Sequence, residues 1–357
     1  MRVLYFGTYE RDYPRNAQVI SCLRGAGVEV VERHATVWEQ RRQNWSLGVG
    51  SMFRVAGAET SLVFGRKGAF DVMIVGYPGH FDMPSARRIA RGRPLVFNPL
   101  VSLEDTLVGD RGRYRPGSAG AAVLRQIDRL AFRRADLVVA DTAQHARFFA
   151  ERFELPRDRV DVCLLGAEDR IFRPGWQPPG AFEALFVGKL IPLHGVETIL
   201  EAGRIASELP FRVVGSGQED ALLQSRPPNV EWDRWVDYDD LPQHYQSAGC
   251  ALGIFGTSAK ARRVIPNKAF QALACGTPLV TGDTPAAREL LTHELDALLV
   301  PVGDAEALAA AVRRLAGDPE LARRLGEAGR ATYVEAASEG VLGERWRRLL
   351  ERLLARG

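Results

Sequence analysis

A chain of 357 residues with 46% apolar and 25% charged side chains has the composition of a soluble globular protein and is long enough for two domains. No apolar run approaches the length of a membrane-spanning helix, and a net charge of +3 with no basic–aromatic repeat excludes a nucleic-acid partner. Four scattered cysteines (Cys22, Cys163, Cys250, Cys275) form no Cys-x-x-Cys pair, so they read as buried thiols in a reducing, cytoplasmic compartment rather than a disulfide or zinc framework.

The first residues enter a strand pattern directly, without signal-peptide architecture. A buried strand at 2–7, a helix at 16–25 and a strand at 28–32 predict an opening βαβ unit. Residues 36–69 mix Trp38, Trp45, Met52 and Phe53 with Arg41, Arg42 and Arg54, which suits either an interfacial amphipathic helix or a hairpin packed on its own domain. Short apolar strands follow at 71–76 and 94–98, then a helix at 121–134, a strand at 136–140 and a helix at 142–153 that Asp141-Thr142 can cap. The Gly/Pro-rich stretch 166–180 reads as a linker.

After the linker the same rhythm restarts. Strands are expected at 184–188, 211–215, 230–235, 251–255, 278–281 and 297–301, with helices at 195–205, 241–248, 304–316, 319–332 and 343–355. Alternation of this kind predicts parallel sheets covered on both faces, with ligands at the carboxyl ends of the strands. Residues 1–165 carry 25 Lys/Arg against 18 Asp/Glu, and residues 166–357 carry 22 against 26. That asymmetry suits a solvated Arg-rich surface and leaves peripheral contact with an anionic membrane, at its inner face, open.

The most informative stretch is 262–283, RRVIPNKAFQALACGTPLVTGD. Pro266 at a first helical position, followed by Asn267 and Lys268, starts a helix whose free N–H groups and macrodipole favour an anion, and Arg262, Arg263 and Lys268 add charge. An ordinary helix start with solvated basic residues is the alternative. Of 47 Lys plus Arg, only Lys67, Lys189, Lys260 and Lys268 are lysines, and a lysine among arginines can mark a need for a compact point charge.

The second half resembles the donor-binding domain of family 4 glycosyltransferases of the GT-B fold. The matching stretches are FVGKLIPLHGVETILEA (186–202), RVVGSGQED (212–220), VEWDRWVDYDDLPQHYQSAGCALGIF (230–255), NKAFQALACGTPLVTGDTPAARELL (267–291) and ALLVPVGDAEALAAAV (297–312). In the first half FGTY, DLVVADT and IFRP (171–174) fit the same pattern. The resemblance implies an α/β protein of two Rossmann-like doubly wound domains facing each other across a cleft. It divides the chain into an acceptor-binding domain at 1–167, a nucleotide-sugar-binding domain at 168–340 and an amphipathic helix at 341–357, whose return to the first domain is left open. The implied activity is a hexosyltransferase-type transfer from a nucleotide diphosphate sugar, with retention and with neither metal nor cofactor.

The same resemblance carries roles onto residues. Lys189 and His194 hold the places of the Arg and Lys that compensate the leaving diphosphate, and Lys268 and Arg263 add charge from the helix side. Gln271 stands where the family has a ribose-binding Glu, and Arg263 falls where an earlier Glu is expected. Gly7, Gly188, Gly215, Gly217 and Asn267 line the donor site, with Trp235 and Val236 where the nucleobase packs; a core tryptophan is the other reading of Trp235. No His follows the fourth strand, so Asp105 is the candidate base, with Lys189 and Lys268 as the other catalytic candidates. Tyr13, Arg15, His80 and Ser102 are assigned to an acceptor, which is a glycan, a lipid-linked sugar or a small molecule. Gly215-Ser216-Gly217 lacks the third glycine of a dinucleotide fingerprint, which counts against a dehydrogenase. The departures at His194, Gln271 and the missing His also suit a nucleotide-sugar-binding protein with little or no transfer.

Overall fold

The computed structural model describes residues 1–11, 13–37, 57–58, 62 and 68–356. The expected helix or hairpin with Trp38, Trp45, Met52 and Phe53, and Lys67, lie outside the described residues. The chain divides into two compact units, Met1–Leu164 with Glu339–Gly357, and Leu165–Ser338. The first ends a few residues before the Gly/Pro-rich stretch.

Unit 1 holds six parallel strands in the order β2-β1-β3-β4-β5-β6. They are β1 (Arg2–Gly7), β2 (Glu29–His34), β3 (Val72–Val75), β4 (Leu95–Phe97), β5 (Leu137–Ala140) and β6 (Val160–Val162). Its helices are α1 (Pro14–Gly25), α2 (Met83–Ala90), α3 (Ala119–Arg134) and α4 (Ala143–Phe153). Strands β3, β4 and β5 are buried at every position, as expected of a parallel sheet covered on both faces. Helix α4 is capped by Thr142, whose Oγ1 accepts from the His145 N–H. Asp141 takes another job, accepting from His145 Nδ1 at 2.6 Å. Helix α2 and strand β6 were not legible in the sequence: one is short and carries Pro84, and the other is a three-residue edge strand.

Unit 2 repeats the plan in the order β12-β11-β10-β7-β8-β9. Its strands are β7 (Ala184–Val187), β8 (Phe211–Val214), β9 (Val230–Asp233), β10 (Cys250–Leu252), β11 (Leu279–Gly282) and β12 (Leu298–Val300). Around them run α5 (Val196–Ile205), the single turn α6 (Asp220–Leu223), α7 (Leu241–Ser247), α8 (Asn267–Cys275), α9 (Ala305–Gly317) and α10 (Pro319–Ala336). The chain then continues into α11 (Glu339–Leu354), which packs on α1 as part of unit 1. Gly343 makes that approach possible, because a β-carbon there would lie 2.3 Å from the Cys22 carbonyl oxygen. Trp346 fills the seam, almost wholly buried. All four cysteines are buried free thiols, and among the described residues no helix is long and apolar enough to cross a membrane.

Candidate functional site

In unit 2 the chain leaves β7 toward β8 and β9, then returns to β10 on the other flank of β7. The loops after β7 and β10 therefore diverge at a topological switch point, where open α/β sheets receive ligands. The loop after β7 is seated by glycines. Gly215 has φ +130°, and a β-carbon there would stand 2.0 Å from the Gly188 carbonyl oxygen; one at Gly217 would stand 2.5 Å from the Leu190 carbonyl oxygen. The amides are also occupied, with Gly215 N–H donating to Asp233 and Gly217 N–H to the Asp220 carboxylate at 2.6 Å. Gly215 and Gly217, expected to admit a nucleotide, are thus used to bring two loops together. Trp232 braces the same loop by donating to the Gly215 carbonyl at 2.8 Å.

Helix α8 starts at this switch point. Pro266 is its extended N-cap (φ −75°, ψ 152°) rather than its first helical residue, and no side chain caps it. The first-turn amides, Asn267 and Lys268 among them, have no partner inside the helix. Lys268 is only 6% exposed, and its Nζ sits 3.6 Å above the Phe186 ring with no hydrogen-bond acceptor among the described residues. Burial pushes this amine well below the ordinary lysine range. His194 packs edge-on against the same ring, 5.6 Å away. Its Nδ1 carries the proton, since it donates at 2.5 Å to the Lys189 carbonyl, which can only accept. A β-carbon at Gly188 would meet Lys268 Nζ at 2.7 Å and His194 Cε1 at 3.3 Å. Gly188, His194 and Lys268 therefore form one cluster, with the exposed Lys189 at its rim and half-buried Arg263 and Asn267 on the chain leading into α8.

One turn along α8, Gln271 accepts at 3.1 Å from the Tyr245 hydroxyl in a buried contact. The Tyr238 hydroxyl bonds both Gln271 and Glu168, and burial raises its pKa. The Gln271 carbonyl is thus already engaged. Trp235 is 62% exposed, which removes the core reading; its indole N–H reaches Asp237 at 3.1 Å, and Val236 is half-buried beside it.

In unit 1 several candidates serve the fold instead. Gly7 (φ +131°) lies against Asp82, whose carboxylate accepts from Thr8 N–H at 2.8 Å and Thr8 Oγ1 at 2.9 Å. The loop after β1 thus meets a carboxylate where a diphosphate was expected. Arg15 is buried, donating to Asn98 Oδ1 at 3.0 and 2.8 Å and to the Leu164 carbonyl at 3.3 Å. Ser102 donates to Asp128 at 2.7 Å, and His80 Nε2 lies 3.3 Å from the same buried carboxylate. Asp128 also accepts the Leu103 and Glu104 amides, both at 2.9 Å. Of the residues expected to touch an acceptor, Arg15 and Ser102 are hydrogen-bonded inside unit 1, and His80 is buried beside Asp128. Tyr13 packs tilted against Tyr77 at 4.7 Å, with burial pushing its phenol up to about 12. Asp105 stays half-buried, opening a wide π-type turn (Asp105–Asp110) whose first amide bonds Ser102 Oγ at 3.2 Å.

Sequence reasoning missed Asp128, Asp82, Tyr238 and Tyr245. Asp128 had a signal, because it falls in the apolar stripe of α3 with Ala121, Leu124 and Ala131. We expect Asp128→Ala to lower the melting temperature of unit 1 by several degrees, since it strands three loop donors, whereas a surface change such as Arg115→Ala leaves it unchanged. Differential scanning calorimetry reads the difference. Among the described residues no group of three or more His, Cys, Asp or Glu side chains is placed to hold a metal ion.

Residues 2–166 match the family described as glycosyl transferase 4-like domain, and residues 181–318 the family described as glycosyl transferases group 1. A GDP-mannose-dependent alpha-mannosyltransferase of Mycobacterium tuberculosis (strain CDC 1551 / Oshkosh) is 30% identical over 190 residues, 53% of this chain and 46% of that protein. The chain spans about half the length of most of the curated relatives it matches. Sucrose-phosphate synthase (tll1590) from Thermosynechococcus elongatus superposes with a TM-score of 0.75 at 17% identity, over 100% of both chains. Anabaena Alr3699/HepE in complex with UDP superposes with a TM-score of 0.71 at 14% identity, over 99% of this chain and 100% of that one. At such identities the likeness shows the fold: two Rossmann-like domains of the GT-B type, as expected from the sequence.

Proposed function

We propose that this chain, which matches a glycosyl transferase 4-like domain in its first half and glycosyl transferases group 1 in its second, is a GT-B glycosyltransferase of the family 4-like type that moves a sugar from a nucleotide diphosphate sugar to a hydroxyl acceptor. The observation that carries the proposal is Lys268: an amine buried at a helix start, on a ring face, with no acceptor of its own. An amine buried here carries a charge at low cost only when a ligand supplies the counter-charge, and a diphosphate at the α8 N-terminus would do so. Asn267 and Lys268 from α8, with Lys189, His194 and Arg263 around them, would hold the diphosphate. As the glycosidic bond breaks, charge grows on the leaving oxygen, and pre-aimed donors favour that state over the bound substrate.

In this reading Trp235 and Val236 take the nucleobase and the Gln271 amide takes a ribose hydroxyl. Asp105, with Tyr13 nearby in sequence to the loop after β1, serves the acceptor in unit 1. Retention of configuration, and action without a metal or cofactor, belong to the proposal and rest on the family resemblance. A cytoplasmic setting is supported by the four buried thiols.

The test is thermal stabilisation by UDP, GDP, ADP, CDP, dTDP and their common sugar conjugates. A ligand that binds only the folded state raises the midpoint with concentration. A shift with one base, lost on Lys268→Ala, is the expected result; no shift with any of them at millimolar concentration would sink the donor site. Trp235→Ala should weaken binding of the active nucleotide by about tenfold, the scale of one lost base–aromatic stack, and leave inorganic pyrophosphate unaffected.

A second reading, binding with little transfer, is favoured by Arg15, His80 and Ser102 being spent inside unit 1. Nucleotide binding without donor turnover, in the presence of glycan, lipid-linked and small-molecule acceptors, would establish it.

A further inference from the structure

Three features of unit 2 meet at one atom. Lys268 Nζ is enclosed at the carboxyl end of β7, between the Phe186 ring and the backbone of Gly188. Among the described residues it has no hydrogen-bond acceptor, which a permanently charged ammonium, a donor of three hydrogens, would demand in such a place. It also stands in the first turn of α8, whose partial positive charge opposes a second positive charge.

Beyond the Phe186 ring face, which favours a cation weakly, no charged group among the described residues compensates the amine. From the loop after β7 comes His194, with its Nδ1 proton spent on the Lys189 carbonyl. From the turn before α8 come Lys260 and Arg263, both basic. From α7 comes Tyr245, bonded to Gln271, and from α10 Arg330 acts on Cys275 at the far end of α8. Burial alone acts on the Lys268 amine, with no charged partner favouring its cationic form.

We infer that the diphosphate-class ligand enters this site together with a proton, which lands on Lys268 Nζ. The inference rests on the donor reading above. The amine lone pair takes a proton from solvent or buffer, forming one N–H bond while the buffer acid loses it; no other bond changes. Free, the site keeps an uncharged amine on a ring face; occupied, it holds an ammonium against an anion. This makes affinity depend on pH in a definite sense. Binding that consumes a proton weakens as pH rises above the free-state pKa of Lys268, and is independent of pH below it.

Isothermal titration of the full chain with UDP tests this, from about pH 8 upward, where a terminal phosphate with a second pKa of about 6 is already ionised. Tris and a sulfonate buffer differ widely in ionisation heat, so the dependence of the observed heat on buffer counts protons. The expected result is net proton uptake on UDP binding that grows as the buffer pH is raised toward the ordinary lysine range, kept in His194→Gln and absent in Lys268→Arg, whose guanidinium is always charged. Should Lys268→Arg fold poorly, the pH dependence of UDP affinity in wild type against Lys268→Met gives the same answer, the slope vanishing in the variant. UDP binding without proton exchange, or uptake lost in His194→Gln and retained in Lys268→Arg, overturns the inference and leaves the donor reading standing. Absence of heat with UDP, GDP, ADP, CDP and dTDP overturns both.

Discussion

Lys268→Met should bind nucleotide at least about tenfold more weakly than wild type and, without ligand, melt at a higher temperature. The first effect follows from removing a charge-stabilising donor, for which losses of a hundredfold or more in turnover are usual. The second follows from replacing a buried, acceptorless amine by an apolar chain of similar length against the Phe186 ring. A gain of about 1 kcal/mol would raise the midpoint of a unit this size by roughly 2–4 °C. The sign with pH is fixed by the direction of the shift. Lys268 is lowered in the folded state relative to the unfolded chain, so folding releases a proton between the two pKa values. Through that window wild type gains stability as pH rises, and the advantage of Lys268→Met is widest at low pH and shrinks toward the ordinary lysine pKa. Scanning calorimetry of both proteins over a pH series checks this. A less stable Lys268→Met would mean that the amine has a partner in the free protein. Stability gained where binding is lost is the pattern expected of a group held for its ligand.

Much of the architecture was legible because each level of the sequence agreed with the others. Apolar strands buried on both faces, alternation with amphipathic helices, and the cap at Thr142 all point to the same parallel sheets. The proximity of Lys268 and His194 was legible because a Pro-Asn-Lys helix start and the Gly188–Gly195 loop have recognisable local chemistry. Arg15, His80 and Ser102 were read as facing a ligand for a common reason. A polar side chain after a strand faces either a ligand or the protein, and only the tertiary partner decides: Asn98 claims Arg15, and Asp128 claims His80 and Ser102. Glycines carry the same ambiguity. A Gly-x-Gly after β8 reads as room for a nucleotide, but the backbone it admits is that of Gly188 and Leu190. Trp235 went the other way, since an aromatic after β9 suits the core equally well and yet is exposed.

Gly215→Val should be the most damaging single substitution in unit 2. The new β-carbon would stand 2.0 Å from the Gly188 carbonyl oxygen and 2.9 Å from its carbonyl carbon, and main chain cannot yield as a flexible side chain does. The backbone at φ +130° adds a separate penalty, because β-branched residues do not tolerate that region. Strain of about 1–3 kcal/mol and overpacking of a similar size together exceed what a two-domain protein can lose from one unit without visible effect. The expected result is a separate, earlier melting transition for unit 2, lower by roughly 5–15 °C, with the unit 1 transition unmoved. Gly180→Ala serves as the control, since nothing lies within 4 Å of a β-carbon there, and it should melt like wild type. The consequence extends to binding. Gly188 is the floor on which Lys268 Nζ rests, so pushing its carbonyl aside moves the floor away from the amine and the His194 ring. Any Gly215→Val protein that remains folded should therefore bind nucleotide more weakly, although residue 215 offers a ligand neither side chain nor free amide. Unchanged nucleotide affinity in such a protein would show that the loop after β7 does not hold the site.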